Sequence, residues 1–319
     1  MDMIINEFPL ESSDKEQTIN CVVWKGEEPP KAVLQIVHGM EEYVMRYNAQ
    51  ACDLVKRGWA VIGHDHLGHG KSGIHQRGHF TDREDGDRIV QEDIYAVHQY
   101  ARKTWHDVPL FIMGHSMGSF LVRRWLMTHS NEVQGAIIMG SGWYDSLTAH
   151  AGLAAIAVAE KLHGTRSKVG WLTRLLSPME WKFRSEGRYA WLSKNKANVE
   201  AFQTDPLRGF GFTVGAYKHF FRNIAAVAKA ENADKLNREL PLLIISGSDD
   251  PVGGKNAVEK IAAFYRGLGC SNVSQIIMEG DRHELYFEDD SEETIAAVGN
   301  WLTQPTFIRN YPLCEKNLR

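Results

Sequence analysis

The chain has 319 residues, 43% hydrophobic and 24% charged, which is enough apolar material for a large core and too much for a disordered chain. A formal net charge of −4 leaves no basic footprint for nucleic acid, and the short basic pair Arg123 and Arg124 is expected on a solvated helix surface. Cys21, Cys52, Cys270 and Cys314 form no C-x-x-C pair and read as free thiols of a reducing compartment.

The start of the chain, up to Lys15, is acidic and lacks an apolar signal region, and no apolar stretch is long enough to span a bilayer. A soluble, cytoplasmic protein is expected, with transient contact with a lipid surface left open. Ile4 to Phe8 and Ile19 to Trp24 read as a hairpin. A strand from Ala32 to Val37, a helix around Asn48 to Arg57, a strand from Ala60 to Gly63 and a helix from Asp87 to Lys103 follow. Next come the apolar run Val108 to Met113, a helix carrying Phe120, Leu121, Val122, Trp125 and Leu126, and a strand from Gly135 to Met139.

From Trp143 to Ala233 the strand-helix alternation stops and the chain reads as helical, with Trp171, Trp181, Trp191, Phe202, Phe210, Phe212, Phe220 and Phe221 spread through it. Alternation resumes with a strand from Pro241 to Ser246, a helix from Lys255 to Leu268, a strand from Val273 to Met278 and a helix from Glu292 to Leu302. An irregular tail is expected from Thr303 onward. The pattern predicts an α/β class with a mostly parallel sheet and helices on both faces. Residues 1–142 and 234–319 would form the core, and 143–233 a helical insertion.

Gly114-His115-Ser116-Met117-Gly118 matches G-x-S-x-G and lies between a predicted strand and a predicted helix, the setting in which that motif presents a nucleophilic serine. A serine hydroxyl is a weak nucleophile near neutral pH and needs a base, and the base needs a group to orient it. In a doubly wound sheet these partners follow later strands in the order serine, acid, histidine. The loop Gly247-Ser248-Asp249-Asp250-Pro251 offers Asp250, with Asp249 as a turn residue in the alternative reading and Asp145 as a weaker candidate. His283, past the last core strand, is the candidate base.

Stabilising a tetrahedral oxyanion needs backbone donors already in place. The amide of Met117 is one candidate, and the amide of Met40, in the loop His38-Gly39-Met40, is the other. His38, Gly39, His115 and Trp143 are the candidates for contact with a substrate. The segment His64-Asp65-His66-Leu67-Gly68-His69 is rich in metal-ligating types but has no metal-site spacing, and reads as a tight structural loop. Neither metal nor organic cofactor is expected.

Together these stations resemble the α/β-hydrolases of the monoacylglycerol lipase and lysophospholipase branch, sometimes grouped with serine aminopeptidase-like hydrolases. The resemblance rests on His38-Gly39-Met40 with Glu42, Arg46 and Tyr47, on Asp65 to Ser72, on Gly114 to Gly118, on Gly247 to Asp250, and on Arg282-His283-Glu284. It implies a triad of Ser116, Asp250 and His283, and a cap over the acyl pocket built from 143–233. Tyr43 and Phe287 depart from the family pattern near the site and bear on headgroup preference.

The implied activity is hydrolysis of the ester of a single-acyl lipid, a monoacylglycerol or lysophospholipid, through an acyl-enzyme. The alternatives are a small-ester carboxylesterase, a hydrolase-fold binding protein with negligible turnover, and a peptidase. The last would need an acidic amine site, for which Glu160, Glu180 and Glu186 are available.

Overall fold

The structure, a computed structural model, describes residues 3–72, 76–176 and 178–304. Cys314, the tail from residue 305 and the side chain of Glu180 lie outside the described residues. Strands β1 (Met3–Glu11) and β2 (Thr18–Gly26) form the N-terminal hairpin, followed by β3 (Val33–Val37), α1 (Asn48–Lys56), β4 (Ala60–His64), α2 (Gly86–Thr104) and β5 (Leu110–His115). Then come α3 (Met117–His129), β6 (Gly135–Met139) and the helices α4 (Ser146–His163), α5 (Gly170–Leu176), α6 (Lys196–Thr204) and α7 (Val214–Val227). Strands β7 (Leu242–Gly247) and β8 (Val273–Met278), with α8 (Gly254–Gly267) between them and α9 (Ser291–Leu302) after them, complete the order.

The strands assemble into one eight-stranded sheet in the order β1-β2-β4-β3-β5-β6-β7-β8. From β4 to β8 all pairings are parallel, and β1 and β2 run antiparallel at one edge. Every residue of β3, β5, β6 and β7 is buried, which is why these strands read as continuous apolar runs and not as alternating ones. Alternate residues still serve opposite faces. Ile112, Ile138 and Ile244 pack with α2, α3 and α8, while Phe111, Met113, Ile137 and Ile245 pack with α1 and α9.

Arg123 corrects the expectation of a solvated surface. Helix α3 packs against the sheet, and the face carrying Arg123 meets the chain just after β6. Its guanidinium, 2% exposed, donates to Ser141 Oγ at 3.3 Å and to the Gly142 carbonyl at 3.1 Å. Arg124, a hundred degrees round the helix, is the half-buried member of the pair and holds Asp87 at 2.9 Å.

The loop after β4 folds its histidines inward against the loop after β3. His38 and His66 rings lie 4.4 Å apart and His64 and His66 rings 4.8 Å apart, all fully buried. Burial pushes His38 and His64 down to about 3 and His69 down to about 4, so these imidazoles are neutral in the folded protein.

An unfolded chain takes up protons at these histidines near the ordinary value of 6.5, whereas the folded chain does so only near 3 to 4. Stability is therefore complete above that ordinary value and falls as pH drops below it, by up to ~1.4 kcal/mol per pH unit for each histidine. Urea titrations at about pH 7.5 and about pH 5 should record that loss. Neither ring nitrogen of His64 has a hydrogen-bond partner among the described residues. His64→Leu should therefore keep stability at the higher pH within ~1.5 kcal/mol and make the slope shallower by about one proton. An unchanged slope would assign the acid sensitivity to other groups.

Candidate active site

The chain runs from β3 out to β4 and back across to β5, so the strand order reverses between β3 and β5. That reversal opens a crevice at the carboxyl ends of the strands. The loops that follow β3, β5, β6, β7 and β8 all emerge on that side, and they carry Gly39, Ser116, Gly140, Asp250 and His283 respectively.

Ser116 occupies the turn between β5 and α3 with φ 52° and ψ −121°, a left-handed conformation rare outside glycine. Such strain is retained where surrounding structure over-determines it, and the flanking glycines provide that structure. A Cβ at Gly118 would lie 2.1 Å from the Val37 carbonyl, and one at Gly114 would lie 2.3 Å from the Gly118 carbonyl. Only glycine lets α3 leave the sheet this closely, and the result is a serine hydroxyl facing the crevice.

His283 Nε2 lies 2.8 Å from Ser116 Oγ, and His283 Nδ1 lies 3.0 Å from Asp250 Oδ1. Asp250 Oδ1 also accepts from the Val252 amide at 2.8 Å, and Oδ2 accepts from Ser246 Oγ at 2.8 Å. Burial alone would raise the Asp250 carboxyl, but His283 and these donors outweigh it and hold the carboxyl below its usual range. With Asp250 ionised, Nδ1 carries the imidazole proton and Nε2 is free to accept one from the serine. This is the geometry that general-base activation of a hydroxyl requires.

Asp249, the alternative acid, instead faces Lys182 Nζ at 3.1 Å. Asp145 caps α4 by accepting from the Thr148 amide at 2.7 Å.

A second polar system ties these loops together through residues that the sequence offers only as carriers of the resemblance or as candidate contacts, with no link between them. Glu42 Oε1 accepts from the Gly39 amide at 2.6 Å and from the Tyr47 hydroxyl at 3.0 Å, and it lies 3.1 Å from His115 Nδ1. Arg46 bonds the other Glu42 oxygen and holds both oxygens of Glu284, at 2.8 and 2.9 Å. Burial would raise Glu42, but Arg46 and His115 hold it well below the usual carboxylate range. Burial would likewise lower His115, and the Glu42 carboxylate more than compensates, so this imidazole sits above its ordinary value. His115 Nε2 lies 3.2 Å from the His283 carbonyl, which can only accept, so that nitrogen carries a proton. The signal in the sequence was the i, i+4 spacing of Glu42 and Arg46, but nothing local pointed to Glu284 as their partner.

A cavity of about 360 Å³ opens above Ser116. Its wall includes Gly39, Met40, His115, Met117 and His283, so these expected residues are brought together. The rest of the wall is largely aromatic and aliphatic, with Phe120, Tyr144, Leu176, Trp191, Phe202, Phe210, Phe212, Phe220 and Phe221. A Cβ on Gly39 would lie 3.1 Å from the Ser116 Cβ, so the absence of a side chain lets the β3 loop close on the serine.

His38 and Trp143 correct the substrate-contact expectation. His38 is fully buried with Nδ1 2.8 Å from the Gly39 carbonyl and Nε2 accepting from the His66 amide at 3.0 Å, so it braces the loop from behind. Trp143 packs on Phe264 with ring centroids 5.5 Å apart, and its neighbour Tyr144 takes the place on the cavity wall. Tyr43 bonds Asp205 at 2.8 Å and Phe287 lies under Arg46 at 4.0 Å, and neither reaches the cavity wall.

Asp65 accepts from the amides of Val44 and Lys71 at 2.8 and 2.9 Å, which explains the tight glycine-rich loop around it. Among the described residues no group of three or more His, Cys, Asp and Glu is arranged to hold a metal ion. Of the acids available to a peptidase, the two whose side chains are described are engaged elsewhere: Glu160 with Lys218 at 3.0 Å and Glu186 with Arg282 at 2.8 Å.

Residues 28–290 match the family described as "Serine aminopeptidase, S33". Monoglyceride lipase of Mus musculus is 27% identical over 299 residues, covering 90% of this chain and 87% of that protein. Phospholipase YtpA of Bacillus subtilis (strain 168) is 26% identical over 276 residues, covering 86% of this chain and 96% of that protein. A thermostable carboxyl esterase from Bacillus coagulans has the same fold, with a TM-score of 0.86 at 23% identity over 96% of this chain and 100% of that one. Match and fold agree: the chain belongs to this serine aminopeptidase family of α/β-hydrolases, and it is an ester hydrolase.

Proposed function

We propose that this hydrolase cleaves the ester of a single-acyl lipid, a monoacylglycerol or lysophospholipid, through an acyl-enzyme on Ser116. The observation that carries the reading is the unbroken hydrogen-bonded chain Ser116–His283–Asp250 at the floor of an aromatic cavity. Ser116 attacks the ester carbonyl as His283 takes its proton. Asp250 orients His283 and stabilises the imidazolium. The amides of Met40 and Met117, on the wall beside the serine, receive the oxyanion. His283 returns the proton to the leaving alkoxide, and a water activated by the same imidazole releases the acid. No step calls for a metal or an organic cofactor.

Residues 143–233 act as the cap in this reading. Helix α5 lines the cavity with Thr173 and Leu176 and turns Trp171 and Leu175 outward. Leu147, Val158 and Leu162 of α4 and Trp181 just beyond α5 are exposed too, Leu147 at 80%. Lys161 and Lys182 stand next to Leu162 and Trp181 in the chain, and the Arg184 guanidinium lies 5.2 Å from the centre of the Trp181 ring. Exposed large apolar side chains with basic residues close by in the chain suit transient contact with a lipid surface.

Four outcomes are expected. Ser116→Ala should abolish hydrolysis of a p-nitrophenyl ester and labelling by a fluorophosphonate, and persistent labelling would remove Ser116 as nucleophile. Asp250→Asn should lower kcat by on the order of 10⁴, and Asp249→Asn by far less. Below their micelle concentrations, longer acyl chains at fixed headgroup should raise kcat/KM by up to about fourfold per methylene until the cavity is full. Best activity on acetyl and butyryl esters would replace the lipid reading with a small-ester carboxylesterase. Finally, Leu162→Ser with Trp181→Ser should weaken co-sedimentation with lipid vesicles and leave hydrolysis of a soluble short ester within about twofold. Equal binding by parent and variant would place any lipid contact on another face.

A further inference from the structure

The triad acid has two oxygens, and only one of them faces the base. Asp250 Oδ1 takes the imidazole and the Val252 amide, which leaves Oδ2 turned away in a fully enclosed space. There it meets the hydroxyl of Ser246, the penultimate residue of β7, which is itself fully buried.

The direction of that hydrogen bond is set by a third group. The Gly254 amide, at the first residue of α8, donates to Ser246 Oγ at 3.0 Å. An oxygen that accepts from a backbone N–H and faces an ionised carboxylate at 2.8 Å must give its own proton to the carboxylate. The space is made by the preceding glycine, since a Cβ on Gly253 would lie 2.3 Å from Ser246 Oγ and 2.7 Å from Asp250 Oδ2. The chain Gly254 N–H, Ser246 O–H, Asp250 Oδ2 thus runs from the positive end of a 14-residue helix to the buried charge.

We propose that Ser246 is a positioning residue for the reaction: by donating to Asp250 Oδ2 it holds the carboxylate ionised and aims Oδ1 at His283. This rests on the reading of Asp250 as the triad acid. A buried carboxylate oxygen without its donor bears an uncompensated charge, and the carboxylate then turns toward whatever donor remains. The imidazolium formed as Ser116 attacks loses part of its stabilisation, while substrate contacts in the cavity are untouched, because Ser246 and Asp250 are absent from its wall.

The test is a double-mutant cycle in the full chain, assayed on p-nitrophenyl butyrate. Ser246→Ala should lower kcat about tenfold with KM unchanged, and in the Asp250→Asn background the same substitution should change kcat less than about twofold. Ser246→Cys, close in size but a weak donor, should reproduce the loss and covers the case in which the alanine variant folds poorly. The downfield NMR resonance of the His283 Nδ1 proton should move in both variants, a change that mere loosening of β7 would not impose. Equal losses in the two backgrounds, or a kcat within about twofold of the parent, would overturn the role of Ser246. If Asp250→Asn itself left kcat intact, the triad reading would fail first, independently of Ser246.

Discussion

A carboxylate taken out of water costs several kcal/mol unless donors and counter-charges meet it, so Glu42 dictates what stands around it. The groups that meet it come from different segments: the Gly39 amide from the loop after β3, His115 from the end of the strand that leads into Ser116, and Arg46. Arg46 in turn holds Glu284, the residue after His283. Loops far apart in sequence are thus held in register by the need to neutralise a few buried charges. The same requirement explains why this region tolerates so much polarity below an apolar cavity.

Histidine shows how much the outcome depends on such partners. Among the described residues, His38, His64 and His69 meet no carboxylate at hydrogen-bonding distance, and burial keeps them neutral. His115, equally buried, faces Glu42 and is shifted the other way. One residue type therefore serves as neutral packing behind the β3 loop and as a polar link between loops in front of it. The division follows from the position of a single acid, Glu42.

Much of this was legible in the chain, for identifiable reasons. The core strands are short apolar runs between turn residues, and G-x-S-x-G carries its own structural context, so the sheet and the serine elbow could be read directly. The loops that bear Asp250 and His283 follow from the order of loops along a doubly wound sheet, and the family resemblance singles out Asp250 over Asp249. What escaped were properties of the packed state. Whether Arg123 is solvated depends on the chain after β6 folding over that face of α3, where Ser141 and Gly142 receive its guanidinium. Which of two adjacent aromatic residues, Trp143 or Tyr144, reaches the cavity is a rotation that composition does not encode. The link between Arg46 and Glu284 spans 238 positions and leaves no periodic trace.

The helical segment between β6 and β7 is joined to the sheet by polar contacts as well as apolar ones. Asn198 donates to Glu284 at 2.6 Å, Arg208 approaches the same carboxylate at 3.7 Å, and Asp205 receives the Tyr43 hydroxyl at 2.8 Å. The contacts of Asn198 and Arg208 complete the charge compensation of the loop that bears His283. The segment is therefore not an interchangeable lid that recombination between relatives can swap as a cassette. A graft that changed substrate range while discarding Asn198 and Arg208 would unbalance Glu284 beneath the new pocket, so specificity and the integrity of the floor are inherited together.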